Sequence, residues 1–355
     1  MSTDTPNSKP DGESFVEKGG FQRTLRANAI KYVVILAGLV LLPFLLTSTG
    51  NTYWLTLLIE LFVFGIAVLS FDLLFGYTGL LSFGHALFFG LGAYTVAIVA
   101  RDTSLSFYGA IPVTLVVIPI VSLIIGAIAL RLTGVYFAIL MLAFGQLGYQ
   151  TILQFTDLTG GINGISGITI APIAGIDVTS NYAAYFITLV VLILTYAFLK
   201  RVTNSPFGRV LDGLNQNPER MEMLGINVYL HKLAAFTLAG TLGGLAGLLY
   251  PLYLNFIDPS LANWTTTGDI LMMTLIGGLG TLWGPILGAG FYIFIQGFLE
   301  SFTDQWRIIL GAVFVVFVLL FPAGIAGLLK GETDVWGRLE TIRSELRNDG
   351  GGQDE

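Results

Sequence analysis

Three amide side chains recur in a stretch that is otherwise apolar. Gln146, Gln150 and Gln154 follow one another every four residues, so on an α-helix they form a stripe that drifts slowly around one face. Polar groups in lipid need hydrogen-bond partners, and the stripe should therefore turn away from lipid. Two roles fit this pattern: hydrogen bonds to a neighbouring helix, or the lining of a path for a polar solute.

His85 lies in the apolar segment SFGHALFFG, close to Ser82. Ionisable side chains at membrane depth are rare and usually functional, so His85 is a candidate for the same translocation path, together with the polar Ser82 near it. Burial of a hydrogen-bonded imidazole between close-packed helices fits equally well, because glycines surround it. The chain has two histidines and no cysteine, which excludes thiolate metal sites and a cysteine nucleophile and argues against a His-rich metal site. We predict no metal site, no cofactor and no catalytic residue.

The segment NQNPERMEMLGIN is polar, although apolar runs precede and follow it. It has the start and stop signals of a short helix. Asn217 is a preferred N-cap and Pro218 suits the first helical position, while Glu219 complements the helix dipole. Gly225 fits the residue after the helix, where a left-handed backbone is common.

A helix of about two turns is marginal by itself, because isolated helices need roughly 12–15 residues to form. We therefore expect this one to dock on a surface. Pro218, Met221 and Leu224 share one face, with Met223 beside it, and methionine adapts well to irregular partners. The sequence leaves two partners open: another protein, or the remainder of this chain, in which case the segment is a connector.

Composition decides the class of protein that carries these residues. Hydrophobic residues make up 54% of the 355 positions and charged residues 11%, whereas soluble domains carry about 25% charged residues. The mean hydropathy is +0.78. The apolar runs are long enough for membrane-spanning helices and lack the short alternation of a β-barrel. We predict an all-α, polytopic integral membrane protein in a lipid bilayer, without a nucleic-acid partner.

About ten (8–10) transmembrane helices are predicted. The turns at 76–79 and 282–285 carry no charge, so each flanking pair of runs forms either two full spans or a re-entrant hairpin. The apolar runs lie near 30–47, 53–75, 77–100, 109–130, 132–155, 182–199, 233–256, 268–283, 285–303 and 307–323.

The distribution of lysine and arginine predicts the orientation, since cytoplasmic loops are enriched in both. Basic residues precede the first run, bracket the polar loop at about 200–232 and follow the last run. The loop at about 156–181 contains neither lysine nor arginine. We therefore predict that both termini are cytoplasmic, that 156–181 lies outside, and that the protein resides in the cell (plasma) membrane.

Three regions follow from this topology. Residues 1–29 form an acidic cytoplasmic tail, residues 30–329 form the transmembrane domain, and residues 330–355 form a second cytoplasmic tail. In the second tail, apolar residues recur at the spacing of one helical face, which predicts a short amphipathic helix. They are Val335, Leu339, Ile342 and Leu346.

Five stretches of the chain resemble the LivM-type permeases of branched-chain amino acid ABC importers. The first contains the polar segment: RVLDGLNQNPERMEMLGINVYLHKLAAFTLAGTLGGLAGLLY. The others are FGYTGLLSFGHALFFGLGAYT (75–95), GVYFAILMLAFGQ (134–146), LTGGINGISGI (158–168) and LMMTLIGGLGTLWGPILGA (271–289). They occur in family order and together cover nearly the whole chain. The fold that the resemblance implies is that of an ABC importer permease.

In this family the polar loop carries a motif of an acid, two small residues and, after three more residues, a glycine. Glu219 and Gly225 match it, whereas Arg220 and Met221 stand where the family has small residues. The resemblance implies that the loop is a coupling helix that docks on a separate ATP-binding subunit. The chain lacks the GxxxxGK[ST] phosphate loop, so ATP hydrolysis is expected on partner chains and this chain is not expected to be an enzyme.

The resemblance further implies the other partners and the cargo. The chain would form half of a pore with a second homologous permease subunit, and an extracytoplasmic substrate-binding protein would deliver a branched-chain amino acid. Urea or short amides, which close relatives carry, are the main alternative cargo. An ion-coupled secondary transporter and a passive channel are alternatives of another class, and either would transport without partner chains.

Overall fold

A computed structural model describes residues 37–46, 53–102, 107–168 and 180–330, and α-helices dominate these residues. The helix α1 belongs to a first unit that ends at Thr52, and the elements from Tyr53 onward form a second unit. The helices are α1 (Ala37–Leu46), α2 (Tyr53–Thr78), α3 (Ala86–Asp102), α4 (Phe107–Ala129), α5 (Gly134–Gln154), α6 (Thr156–Thr159), α7 (Asn181–Thr203), α8 (Pro206–Gln216), α9 (Pro218–Met223), α10 (Val228–Leu249), α11 (Pro251–Leu254), α12 (Trp264–Gly277), α13 (Trp283–Glu300), α14 (Trp306–Leu320) and α15 (Gly324–Lys330).

A small extended clip accompanies the helices. The two-residue strands β1 (Ile165–Ser166) and β2 (Phe256–Ile257) pair antiparallel, with Ile165 opposite Ile257. Short 3₁₀ turns at Gly161–Asn163 and Pro259–Ala262 flank them. The clip joins the loop after α5 to the loop before α12, and the predicted all-α class is otherwise confirmed.

The helix α2 is the centre of the second unit. Its most apolar 18-residue window is 78% buried, whereas that of α4 is 22% buried. The helices α7, α10 and α13 pack around it. Apart from a few polar residues such as Ser70 and Asp72, apolar residues occur all around it, as expected for a helix that neighbours surround.

Glycine allows three of the helices to approach one another closely. A Cβ atom on Gly92 of α3 would overlap the carbonyl of Gly244 in α10, and one on Gly247 would overlap that of Phe89. Gly84, just before α3, lies in the same way against the carbonyl of Met141 in α5. Membrane helices depend on such contacts, because lipid provides little hydrophobic force between them.

Five helices in the described part of the chain are long and apolar enough to cross a membrane, namely α2, α4, α5, α7 and α10. The prediction of a multi-pass membrane protein is therefore confirmed. The predicted total of about ten transmembrane helices requires that the helices α1, α3, α12, α13 and α14 also span the membrane, and this total stays a prediction. The helices α12 and α13 form a hairpin in which the Tyr292 hydroxyl donates to the Asp269 carboxylate at 2.6 Å.

Two predicted apolar runs differ from the helices that contain them. The run 77–100 becomes helical at Ala86, because Gly79 takes a left-handed φ of +71° that interrupts the helix. The run 233–256 is shifted, since α10 already begins after Asn227, whose side chain accepts the N–H of Leu230 at 3.0 Å. It ends before Pro251, which lacks the N–H that a continuing helix needs.

Several predictions concern residues outside those that the structure describes. They are the acidic tail 1–29, the amphipathic helix in 330–355 and most of the outer loop beyond residue 168.

Candidate functional site

The helix α9 occupies the predicted polar segment, and its start is the predicted one. The Asn217 side chain accepts the N–H of Arg220 at 2.9 Å, and Pro218 is the first helical residue. Glu219 lies in the first turn, where a negative charge favours the helix dipole. All four of these residues are exposed. The capping signals in the sequence are therefore confirmed.

The end of α9 is a Schellman motif centred on Gly225. The N–H of Gly225 donates to the carbonyl of Glu222 at 2.9 Å, and that of Ile226 donates to Met221 at 3.1 Å. Gly225 has a φ of +81°, while a Cβ atom added to it would touch nothing. The glycine is therefore needed for its backbone conformation rather than for space.

The exposed apolar face of α9 differs from the predicted one. Met223 and Leu224 are 86% and 70% exposed. Met221 is half-buried against α8, where a Cβ atom on Gly213 would lie 2.6 Å from its sulfur. The structure thus separates Met221 from Leu224, because α8 covers one side of the short helix. The exposed apolar side chains at the end of α9 are therefore Met223 and Leu224.

The helix α8 supports α9, whereas from the sequence its residues were expected only to form part of a loop. Ser205 caps it by accepting the N–H of Gly208, and Pro206 is its first residue. Leu211 and Leu214 are buried. The serine–proline start and the i, i+3 spacing of these apolar residues were the available signals. A short helix that is marginal in isolation thus has a folded platform behind it.

The glutamine stripe lies on a side of α5 that the described helices cover only in part. Gln146 is half-buried, whereas Gln150 and Gln154 are exposed. None of the three amides has a hydrogen-bond partner in the described part of the chain. Leu147, on the same side of the helix, is 63% exposed. The structure therefore brings the three together on one face, but it does not pair them with a neighbouring helix.

His85 and Ser82 are buried, at 1% and 0% exposure. The Ser70 hydroxyl donates to the carbonyl of Ala239 at 2.7 Å, and its oxygen lies 2.6 Å from His85 Nε2. Because the single hydroxyl proton is already donated, the imidazole must donate from Nε2 to Ser70. These two hydrogen bonds connect α2 to α10 and to the residue before α3. It supports the packing interpretation of His85 over a place in a path.

Two residues outside the predicted site, Asn215 and Asp72, connect α8, α2 and the turn between α12 and α13. Asn215 at the end of α8 donates from Nδ2 to the carbonyl of Gly76 in α2 at 2.8 Å. Asp72, one turn earlier in α2, is fully buried and accepts backbone N–H groups from the turn between α12 and α13. The glycine-rich turns FGYTG and GGLGTLWGP were the signals for this close approach.

Comparison with known proteins places these features in one family. Residues 53–318 match the family described as branched-chain amino acid transport system, permease component. The chain belongs to this family. The matched part of the permease contains α8, α9, the glutamine stripe and both glycine-rich turns.

Curated relatives agree with this assignment. Over 330 residues the permease is 26% identical to the high-affinity branched-chain amino acid transport system permease protein LivM of Escherichia coli, covering 85% of this chain and 77% of the relative. It is 25% identical to a probable LivM of Methanocaldococcus jannaschii over 70% of this chain and 82% of the relative. It is also 25% identical to the probable LivH of that organism, over 60% of this chain and 64% of the relative. No solved structure matches the permease.

Proposed function

We propose that this permease imports branched-chain amino acids across the cell membrane, driven by ATP hydrolysis on separate ATP-binding subunits. A second homologous permease forms the other half of the pore, and an extracytoplasmic binding protein delivers the cargo. The termini and the segment 200–232 face the cytoplasm, and 156–181 faces outward. The cargo follows from the family and from the names of the relatives.

The observation that carries this proposal is the geometry of α9. It is a short helix with a folded cap at each end, supported by α8, and it projects Met223 and Leu224 into solvent. Two adjacent exposed apolar side chains at the end of a capped helix suit a contact with another protein. The segment lies between α7 and α10, and basic residues bracket it, so it belongs on the cytoplasmic side, where ATP-binding subunits operate.

The glutamine stripe supports a path for a polar but uncharged or zwitterionic solute. Amides donate and accept hydrogen bonds without carrying charge, so they suit an amino acid whose own charges cancel. Gln146, Gln150 and Gln154 lie on a side of α5 that the described residues leave partly or fully exposed. We infer that the second permease faces this side and that the path lies between the two.

The outer end of α5 supports the docking of a binding protein. Phe155, Leu158 and Ile162 are 62%, 45% and 83% exposed just beyond the glutamine stripe. The β1–β2 clip fixes the loop that follows them to the segment before α12. An ordered apolar surface at the outer entrance of the path is suited to a protein that hands over its cargo there.

The experiment is reconstitution of the complete complex in liposomes with labelled leucine. We expect uptake that needs ATP inside, the ATP-binding subunits and the binding protein, and that excess isoleucine or valine suppresses. Competition by urea or short amides alone would reassign the cargo. Uptake by the purified permease without ATP or partners would instead identify a channel or a secondary transporter.

A further inference from the structure

Asp72 fixes the turn between α12 and α13 to the end of α2. Its carboxylate is fully buried and accepts the N–H of Gly280 at 2.7 Å, with the N–H of Leu282 at 3.4 Å from the other oxygen. A buried carboxylate without such donors is strongly unfavourable. The contact joins residues 208 positions apart, so it holds two distant parts of the chain in one place.

The turn that Asp72 holds is strained. Leu282 has a φ of 54° and a ψ of −53°, and the N–H of Trp283 donates to the carbonyl of Thr281 at 2.7 Å. This is a γ-turn of positive φ, which is rare. Strained backbone of this kind persists only where its surroundings determine it, and it is found at elements that switch or bind.

Asn215 connects the same place to the cytoplasmic platform. Its Nδ2 donates to the carbonyl of Gly76 at 2.8 Å. A Cβ atom on Gly76 would lie 2.6 Å from the amide nitrogen of Gly280, and one on Gly79 would lie 2.7 Å from Asn215 Oδ1. The two glycines therefore let α8, the end of α2 and the α12–α13 turn meet without intervening side chains.

We propose that Asn215 and Asp72 are positioning residues that make α8, the end of α2 and the α12–α13 turn move as one unit during transport. The proposal rests on the function proposed above, in which a partner subunit displaces α9. Met221 packs on Gly213 and so passes a displacement of α9 to α8. The Asn215–Gly76 and Asp72–Gly280 hydrogen bonds then pass it to the α12–α13 hairpin inside the membrane.

The first test compares Asn215→Ala with Gln216→Ala in the reconstituted complex. Gln216 is the neighbouring exposed amide on α8, without a hydrogen-bond partner in the described residues, so it is a matched control. We expect Asn215→Ala to lower leucine uptake per ATP hydrolysed by about two- to tenfold, as one lost hydrogen bond would. The ATP-binding subunits should still co-purify, and Gln216→Ala should behave as wild type. Unchanged uptake per ATP would refute the proposal, and so would a loss of the ATP-binding subunits.

A double variant tests whether the two residues act in series. Asp72→Leu keeps a similar volume but removes both acceptors, including the oxygen that accepts the N–H of Gly280, and it should lower uptake per ATP as Asn215→Ala does. Combined, the two changes should be no worse than the more severe one, because residues in one network are not additive. Losses that multiply would mean that the residues act independently, which contradicts the proposal.

A distance measurement separates this proposal from the function on which it rests. Spin labels at Gln216→Cys and Leu279→Cys can be placed on α8 and on the turn, since the chain has no cysteine and both positions are exposed. We expect one narrow distance with and without ATP, and a broad one after Asn215→Ala. A distance that changes with ATP would overturn the proposal whatever the cargo. A narrow distance without leucine uptake would refute the proposed cargo but not the proposal that the three elements move together.

Discussion

Replacing Met223 and Leu224 of α9 with aspartate is the most direct test of the docking surface. The two side chains are 86% and 70% exposed, so nearly all of their apolar surface is available to a partner. Surface substitutions of this kind usually change folding stability by no more than about 0.5 kcal/mol. The double variant should therefore fold and insert as the native permease does.

The effect on association follows from the exposed area. Full burial of a leucine or methionine side chain contributes about 1.5–3 kcal/mol, so exposures of 86% and 70% make about 2.3–4.7 kcal/mol available from the pair. The lower value alone corresponds to a roughly 40-fold loss of affinity. Unpaired carboxylates in a desolvated interface add several kcal/mol more. We expect the variant to lose its ATP-binding subunits.

The assay is co-purification of the ATP-binding subunits with the tagged permease, together with ATP-driven uptake. Glu222→Ala is the matched control: Glu222 is exposed between Met221 and Met223, and an exposed charge contributes less than about 1 kcal/mol. Met221→Asp should act differently, because it disturbs the contact with Gly213 and should lower the thermal stability of the isolated permease. If the double aspartate variant keeps both its partners and its transport, α9 is a connector and the reasoning fails.

Three further predictions concern the cap of α9, the membrane orientation and the interior. Gly225→Val should reduce transport, since a left-handed β-branched residue costs about 1–2 kcal/mol, whereas Gly225→Asn should be tolerated. Uptake assays compare the two variants, and equal activity would contradict a role for the left-handed backbone. Ser166→Cys should react with an impermeant thiol reagent in intact cells and Arg209→Cys only after permeabilisation, and the reverse pattern would invert the topology. Ser70→Ala should destabilise the permease by about 1–3 kcal/mol, because it leaves a buried imidazole N–H unpaired. Thermal unfolding measures this loss of stability. Ser122→Ala is the control and should cost less, because it removes a longer hydrogen bond of 3.1 Å to the nearby Pro119 carbonyl. Equal losses would refute the special role of Ser70.

The sequence was sufficient for features that local chemistry determines. Asn217, Pro218 and Gly225 predicted both ends of α9, because capping depends on residues within one turn of each other. The apolar runs predicted the membrane helices for a similar reason, since hydrocarbon selects for length and composition within one segment. Neither inference needed knowledge of which helices are neighbours.

The remaining features depend on contacts between distant segments. The sequence placed Met221 on the docking face, but the structure turns it toward Gly213, because α8 folds back under α9. Asp72 could be recognised as an acid near a helix end, whereas its backbone donors lie in a turn 208 residues later. Such partners depend on how closely glycine-rich turns pack against each other. One sequence alone does not show which distant turns are in contact.

The glutamine stripe on α5 would be costly to expose to lipid. Gln146 lies about 12 Å from the end of α5, given a rise of 1.5 Å per residue, and so it is deep in the membrane. An amide that faces hydrocarbon without a partner costs about 4–8 kcal/mol on the strictest scale. Two such residues, Gln146 and Gln150, would cost as much as the whole stability of a typical domain, about 5–15 kcal/mol. Since the described residues supply no partner for either amide, direct contact of this face with lipid would be strongly unfavourable. The proposed second permease, together with water between the two subunits, would supply such partners to this face.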